Sequence, residues 1–270
     1  MFLIKIGGGK ELNLKGIISD LAALNEKFII VHGANVLRDE LAQKLDYKKK
    51  VVTSLSGYDS VLSDETTIDL MMMAYAGLKN KRIVELCQQN GINAVGLSGL
   101  DGKLIQGKRN SGIKVREGGK TLLLRDFSGK PKSINKQLIE LLLNNGYTPV
   151  LSVPLIDENN FAINSENDDI IALLQSEFKA EKIISLIEAP GFLLDKKDPN
   201  SLVASITKTE LEEMERKVEG RMKRKILALR KLFGETSSSG ESGNTTVILS
   251  DGRTEHPILD ALNGKGTTIS

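Results

Sequence analysis

Apolar positions along the chain come in two kinds of segment that take turns. Phe2–Ile6 is a short apolar, β-branched run with one interruption, Lys5, and it breaks into Gly7, Gly8 and Gly9. Such a run suits a strand buried on both faces. Leu14, Ile17, Ile18, Leu21 and Leu24 then recur at helical spacing, residues 28–31 form a second apolar run ending in His32-Gly33, and Leu37, Leu41 and Leu45 mark one face of a second helix. Strand, glycine, helix has by then occurred twice, the rhythm of an α/β protein with a mostly parallel sheet. Residues 48–62 read as a polar hairpin or loop. A long helix is expected over 64–89, with an acidic start and Gly91 after its end.

Further strands are expected at 92–97, 148–153 and 182–187, with helices at 134–143 and 166–178. Residues 103–132 alternate like short antiparallel strands. Two helices at 207–217 and 220–233, a Ser/Gly-rich loop at 235–244, a strand at 245–249 and an edge strand at 266–269 complete the pattern. The rhythm restarts near 175–181, where a boundary between two lobes is expected.

Composition narrows the function. The 270 residues are 40% hydrophobic and 27% charged, an ordinary balance for a globular protein. Net charge is +2, aromatics are 4% and tryptophan is absent, which speaks against nucleic acid as a partner. Neither a signal peptide nor a membrane-length apolar run is evident, so a cytoplasmic protein is expected. The single cysteine, Cys87, lies in a helical pattern and reads as a small buried hydrophobe. Charge is uneven: residues 103–132 hold nine Lys/Arg against Glu117 and Asp126, a net +7 that leaves −5 elsewhere. That stretch is either a solvated hairpin face or a docking patch for an acidic partner.

Several chemistries fail on spacing. No P-loop is present, the third glycine of a dinucleotide fingerprint is replaced by Leu12, and no nucleophile elbow occurs. With two histidines and one cysteine no metal site is expected. What remains is a set of cations and glycines at strand ends, a pattern suited to phosphate: Lys5-Ile-Gly-Gly8, His32-Gly33-Ala34-Asn35, Asn164 with Asp168, and Gly220-Arg-Met-Lys-Arg-Lys225. Each is ordinary alone; Asp168, for instance, also reads as a plain helix N-terminal acid.

In this order, with Leu78-Lys-Asn-Lys-Arg82, Gly96-Leu-Ser-Gly-Leu-Asp-Gly102, Ala162-Ile-Asn-Ser-Glu-Asn-Asp168 and Ala189-Pro-Gly191, the motifs resemble those of the amino acid kinases along essentially the full chain. The likeness is to the acetylglutamate kinase branch, and within it to kinases of a carrier-protein route to lysine. The resemblance implies a three-layer αβα sandwich, with 1–178 binding the phosphoryl acceptor and 179–270 binding ATP. It implies transfer of the γ-phosphoryl of ATP, with Mg²⁺, to a side-chain carboxylate. The acceptor would be 2-aminoadipate or glutamate on a small acidic amino-group carrier protein, and the +7 segment fits such a partner. N-acetylglutamate kinase is the enzymatic alternative; a non-catalytic nucleotide- or amino-acid-binding regulator is the alternative of another class. A homodimer through the 64–89 helix is expected.

By the same resemblance Lys5 and Lys225 stabilise the transferring phosphoryl from opposite sides, and Asp168 orients both. Gly8 and Gly33 offer amides, Asn164 binds the substrate, and Gly7, Gly191, Gly220 and Met222 border the nucleotide. His32 has a conformational role. The chain departs from the family pattern at the acceptor end. Ala34 and Asn35 stand where glycines are usual, and Val61 stands where an arginine clamps the substrate's second carboxylate. Either another cation takes that role, with Arg38 a candidate, or the substrate differs.

Overall fold

The computed structural model describes residues 1–48, 50–53, 59–117, 120–195, 197–217, 226–227, 229–230 and 245–270. In chain order, β1 (Phe2–Ile6), α1 (Leu14–Ala22), β2 (Phe28–His32) and α2 (Asn35–Lys44) come first. The hairpin β3 (Val51–Thr53) and β4 (Asp59–Val61) leads into α3 (Glu65–Met71), a π-helical stretch (Met72–Lys79) and α4 (Asn80–Gln89). Next are β5 (Ala94–Ser98), β6 (Ile105–Arg109), β7 (Ile113–Glu117), β8 (Lys120–Leu124), β9 (Gly129–Ile134) and α5 (Lys136–Asn144). Then β10 (Thr148–Ser152), β11 (Leu155–Ile156), β12 (Ala162–Ile163) and α6 (Asn167–Phe178) precede β13 (Lys182–Ile187). The chain closes with β14 (Ser205–Ile206), α7 (Lys208–Lys217), β15 (Thr246–Asp251), a helix Pro257–Leu262 and β16 (Thr267–Ile269).

Eight strands form one sheet in the order β14-β16-β15-β13-β1-β2-β10-β5, with every pairing parallel except β15 with β16. From β1 the chain builds outward on one side through β2, β5 and β10, then returns to the other side through β13. Sheets of this kind bind ligands outside the carboxyl ends of the strands, where strand order reverses. That point is the end of β1, where the three glycines lie.

The pleat sorts the side chains into two cores. Phe2, Ile4, Ile6, Ile30 and Ile184 face α1, α4 and the helix Pro257–Leu262 through Ile17, Leu21, Ile83, Cys87 and Ile258. Leu3, Val31, Leu151 and Ile183 face the opposite layer, through Met71, Ile139, Ile170, Leu174 and Leu211. This is the three-layer αβα sandwich. Each fully buried Leu or Ile contributes about 1.5–3 kcal/mol. Cys87 lies wholly inside, and burial pushes its thiol up to about 12.

Most expected elements form, with two differences. The 64–89 run is continuously helical, but its central eight residues are π-helical, a register change that the spacing of apolar residues does not reveal. The 266–269 strand is interior, because β14 pairs outside it. Of the expected helix 220–233 only 226–227 and 229–230 are described, and 235–244 lies outside the described residues. Among the described residues no helix is long and apolar enough to cross a membrane.

The helix Pro257–Leu262 is pinned to α1 by Asp20. Its buried carboxylate accepts the Ile258 and Leu259 N–H groups at 3.0 and 3.2 Å, and contacts His256 Nδ1 at 3.0 Å. The hydrogen bond to Asp20 raises the imidazole pKa above its ordinary 6.5. A raised histidine contributes stability that is complete below the ordinary value and is lost as pH climbs through the folded one. The stability difference between wild type and His256→Asn, followed by urea unfolding, is therefore expected to be largest near about pH 5.5 and to shrink toward about pH 9. A difference that grows with pH contradicts the pairing.

Candidate active site

Alternation in β1 aims the first functional side chain. Lys5 falls on the same face as Leu3, the face covered by α6, whose Ile170, Ile171 and Leu174 share a core with Leu3 and Val31. The first turn of α6 thus lies over Lys5, and Lys5 Nζ donates to Asp168 Oδ1 at 2.6 Å. The two side chains are 17% and 29% exposed. A cation inside a strand is tolerated because this charge-assisted bond accompanies it. An acid in the first helical turn also meets the positive end of the helix dipole.

Two glycines set the distance between β1 and β2 at their ends. A Cβ on Gly33 would stand 2.8 Å from Gly8 N, and one on Gly8 would overlap the Asn35 amide and stand 2.8 Å from Asn35 N. Gly33 N–H donates to Ile6 O at 2.8 Å and Val36 N–H to Gly8 O at 3.3 Å. The Gly33 N–H, expected from sequence to offer its amide to the substrate, donates within the sheet, while Gly8 N–H has no backbone partner among the described residues. Gly7 N–H is likewise used, by Leu186 O at 3.0 Å.

His32, at the end of β2, is fully buried, and burial pushes its pKa down to about 3. A neutral ring accepts at Nε2 from Asn80 Nδ2, 3.2 Å away, and Asn80 also donates to Val150 O at 2.9 Å. The neutral histidine joins β2 to the helix that follows the π-helical stretch.

A cleft of about 340 Å³ opens above these groups. It brings together Lys5, Gly7, Gly8, Gly33, Asn35, Asn164 and Asp168 of the expected site. Arg38, Tyr75, Ser165, Glu166 and Asn167 complete its wall. Arg38 is the candidate cation named from sequence, and two of its N–H groups go to Asp39 Oδ1 at 2.8 and 3.0 Å. Tyr75, from the π-helical stretch, has its hydroxyl pKa raised by burial. Among the described residues Ser165 Oγ and Asn167 Oδ1 are buried without a hydrogen-bond partner, so a ligand donor would satisfy them.

Asn164 is held by a network absent from the sequence reading. Its Nδ2 donates to Ser63 Oγ at 3.2 Å, and Ser63 N–H donates to the buried Asp126 at 2.8 Å. Asp126 also takes Ser128 N–H at 3.1 Å, and Asn164 N–H donates to Phe127 O at 2.7 Å. Only an Asp-x-Ser turn, 126–128, hinted at it.

The remaining expected residues lie elsewhere. Val61 sits in β4 opposite Val51 and does not line the cleft. Ala34 lines a neighbouring cavity. A Cβ on Gly191 would meet Thr267 and Leu202, so that glycine packs beside β16. Lys225, Gly220 and Met222 lie outside the described residues.

A fold whose strand ends gather a lysine, two closely apposed glycines and an oriented aspartate suits an enzyme that handles phosphoryl groups. The comparisons agree. The chain belongs to the amino acid kinase family, which matches residues 1–236. It is 38% identical over 275 residues to "[LysW]-aminoadipate kinase" of Thermus thermophilus, covering all of both chains. It is 37% identical over 274 residues to the enzyme of the same name from Deinococcus radiodurans, covering all of this chain and 91% of that one. Giardia carbamate kinase shares the fold, with a TM-score of 0.65, 15% identity and coverage of 100% and 98%. The family, fold and enzyme class expected from the motifs are borne out: the chain is a phosphotransferase, and its family implies ATP as donor.

Gly8→Ala is expected to keep the fold but displace the start of α2, lowering turnover at least about tenfold, equivalent to about 1.4 kcal/mol of transition-state stabilisation. Steady-state kinetics beside far-UV circular dichroism would check this; full activity contradicts the tight approach.

Proposed function

We propose that the protein phosphorylates the side-chain carboxylate of 2-aminoadipate or glutamate carried by a small acidic carrier protein, forming an acyl phosphate for lysine or arginine biosynthesis. The observation that carries the reading is the Lys5–Asp168 pair facing the Gly8 end of β1 in one cleft with Arg38 and Asn164. The names of the full-length relatives support the carrier-linked substrate.

The substrate carboxylate, with a pKa near about 4, is already ionised and needs no base. Its oxygen attacks the γ-phosphorus of ATP; the new O–P bond forms as the bond to the β-phosphate oxygen breaks, and ADP leaves with the electron pair. No proton moves, which fits the neutral His32. Catalysis then rests on placement and on charge stabilisation. Lys5 neutralises the transferring phosphoryl from beneath, Asp168 fixes the ammonium, and Gly8 N–H meets an equatorial oxygen. Lys225 would act from the nucleotide side, within a donor half formed by 179–270 with Gly191, Gly220 and Met222. Asn35 and Asn164 hold the acceptor within 1–178.

Arg38 is assigned the substrate's second carboxylate. Val61 cannot supply a guanidinium, whereas Arg38 lines the cleft from α2 with only 16% of its side chain exposed. Among the described residues no group of three or more His, Cys, Asp or Glu gathers. Mg²⁺ would be held by the nucleotide's phosphates, where it would offset their charge.

The carrier docks on the basic face. Lys108, Lys114, Arg116, Lys120, Arg125 and Lys130 are all exposed, and β7 and β8 form a two-stranded sheet among the described residues. The enzyme is expected to act in the cytoplasm as a homodimer. Met73 and Leu78, 45% exposed on the helical run, and the edge strand β5 support that contact.

Hydroxylamine trapping tests the chemistry. Lys5→Met and Asp168→Asn are each expected to lower hydroxamate formation about 100-fold or more, the scale of one lost transition-state contact; near-native turnover overturns the assignment. Arg38→Met is expected to raise KM about tenfold or more, from a lost charge-assisted contact of about 1.5–3 kcal/mol. Charge reversal at Lys114 and Arg116 is expected to raise KM for a carrier-linked acceptor, with a steep salt dependence, and to leave a free acylated amino acid unaffected. Equal effects on both acceptors contradict the docking face.

A further inference from the structure

A second cavity, of about 420 Å³, lies across Gly8 from the Lys5 cleft. Much of its wall is aliphatic, from Leu14, Val36, Leu37 and Leu78. Two cations at the rim are exposed and already have acids: Lys10 lies 3.3 Å from Glu40 and Arg82 lies 2.7 Å from Glu85. Lys79 differs. It is half-buried at the end of the π-helical stretch and has no hydrogen-bond or ion-pair partner among the described residues. Burial lowers its pKa, and Glu188 offsets this only through space. The Glu188 carboxylate is engaged with Glu11 N–H at 2.7 Å.

The next residue explains why Lys79 is placed there. Asn80 must turn inward to reach His32 and Val150, and the wider π turns meet the α-helix at this step. π-helical turns recur at functional sites. A half-buried ammonium with no acid in direct contact is costly. Such a group in a concave, largely apolar wall marks a site for an anion. One unpaired ammonium and an aliphatic wall suit a monoanion with a hydrocarbon body; a phosphate dianion asks for more donors.

We propose that this cavity is a binding site for a small aliphatic carboxylate, its anion at Lys79 and its chain against Leu14, Val36 and Leu37, separate from the phosphoryl-transfer cleft. The two cavities share Gly8 in their walls.

Isothermal titration of the full chain with hexanoate tests the site. Saturable binding is expected at about millimolar or tighter, in keeping with the few atoms of such a ligand. Lys79→Met is expected to weaken it about tenfold or more, Lys79→Arg to retain it and Lys5→Met to leave it unchanged, with unfolding midpoints confirming that each variant is folded. Hexylamine and inorganic phosphate are expected not to bind this cavity. Absence of saturable binding, loss in Lys5→Met but not in Lys79→Met, or phosphate binding through Lys79 in place of hexanoate would each overturn the proposal.

Discussion

A lysine inside a buried strand is the constraint on which the site depends. The pleat of β1 commits Lys5 to the face beneath α6, and that position is tolerable only with an anion there. Asp168 supplies it from the first turn of α6, at 2.6 Å. The same contact satisfies a buried charge, draws the helix N-terminus onto the sheet and holds an ammonium at the carboxyl end of the central strand. Fold and chemistry share one bond.

Around it the strand ends are drawn together without side chains. Gly8 and Gly33 approach until neither has room for a Cβ, and the Gly33 amide closes the approach on Ile6. Behind them, neutral His32 and Asn80 tie β2, β10 and the helical run into one block. The cleft is therefore built on strand ends and helix starts, which suits a reaction that depends on placement rather than proton transfer.

Much of this was legible in the sequence, because the decisive features are local. The apolar run broken by Lys5, the glycines after it, and Asp168 just inside a helix follow from spacing and motif. What was hidden depends on contacts across long stretches of chain. The use of the Gly33 amide by Ile6, and the chain from Asn164 through Ser63 to Asp126, join residues that no periodicity connects. The π-helical stretch was hidden because it preserves an overall helical pattern while turning Tyr75 and Lys79 toward separate cavities. At the acceptor end the sequence posed a question at Val61 and Arg38, and the cleft places Arg38 in its wall.

Transfer of a phosphoryl group to a carrier-linked carboxylate is tested most directly by comparing acceptors. ADP release should be followed side by side with carrier-linked 2-aminoadipate, carrier-linked glutamate, N-acetylaminoadipate and N-acetylglutamate. The highest kcat/KM is expected with a carrier-linked acceptor. Faster turnover of free N-acetylglutamate than of either carrier-linked form would contradict it.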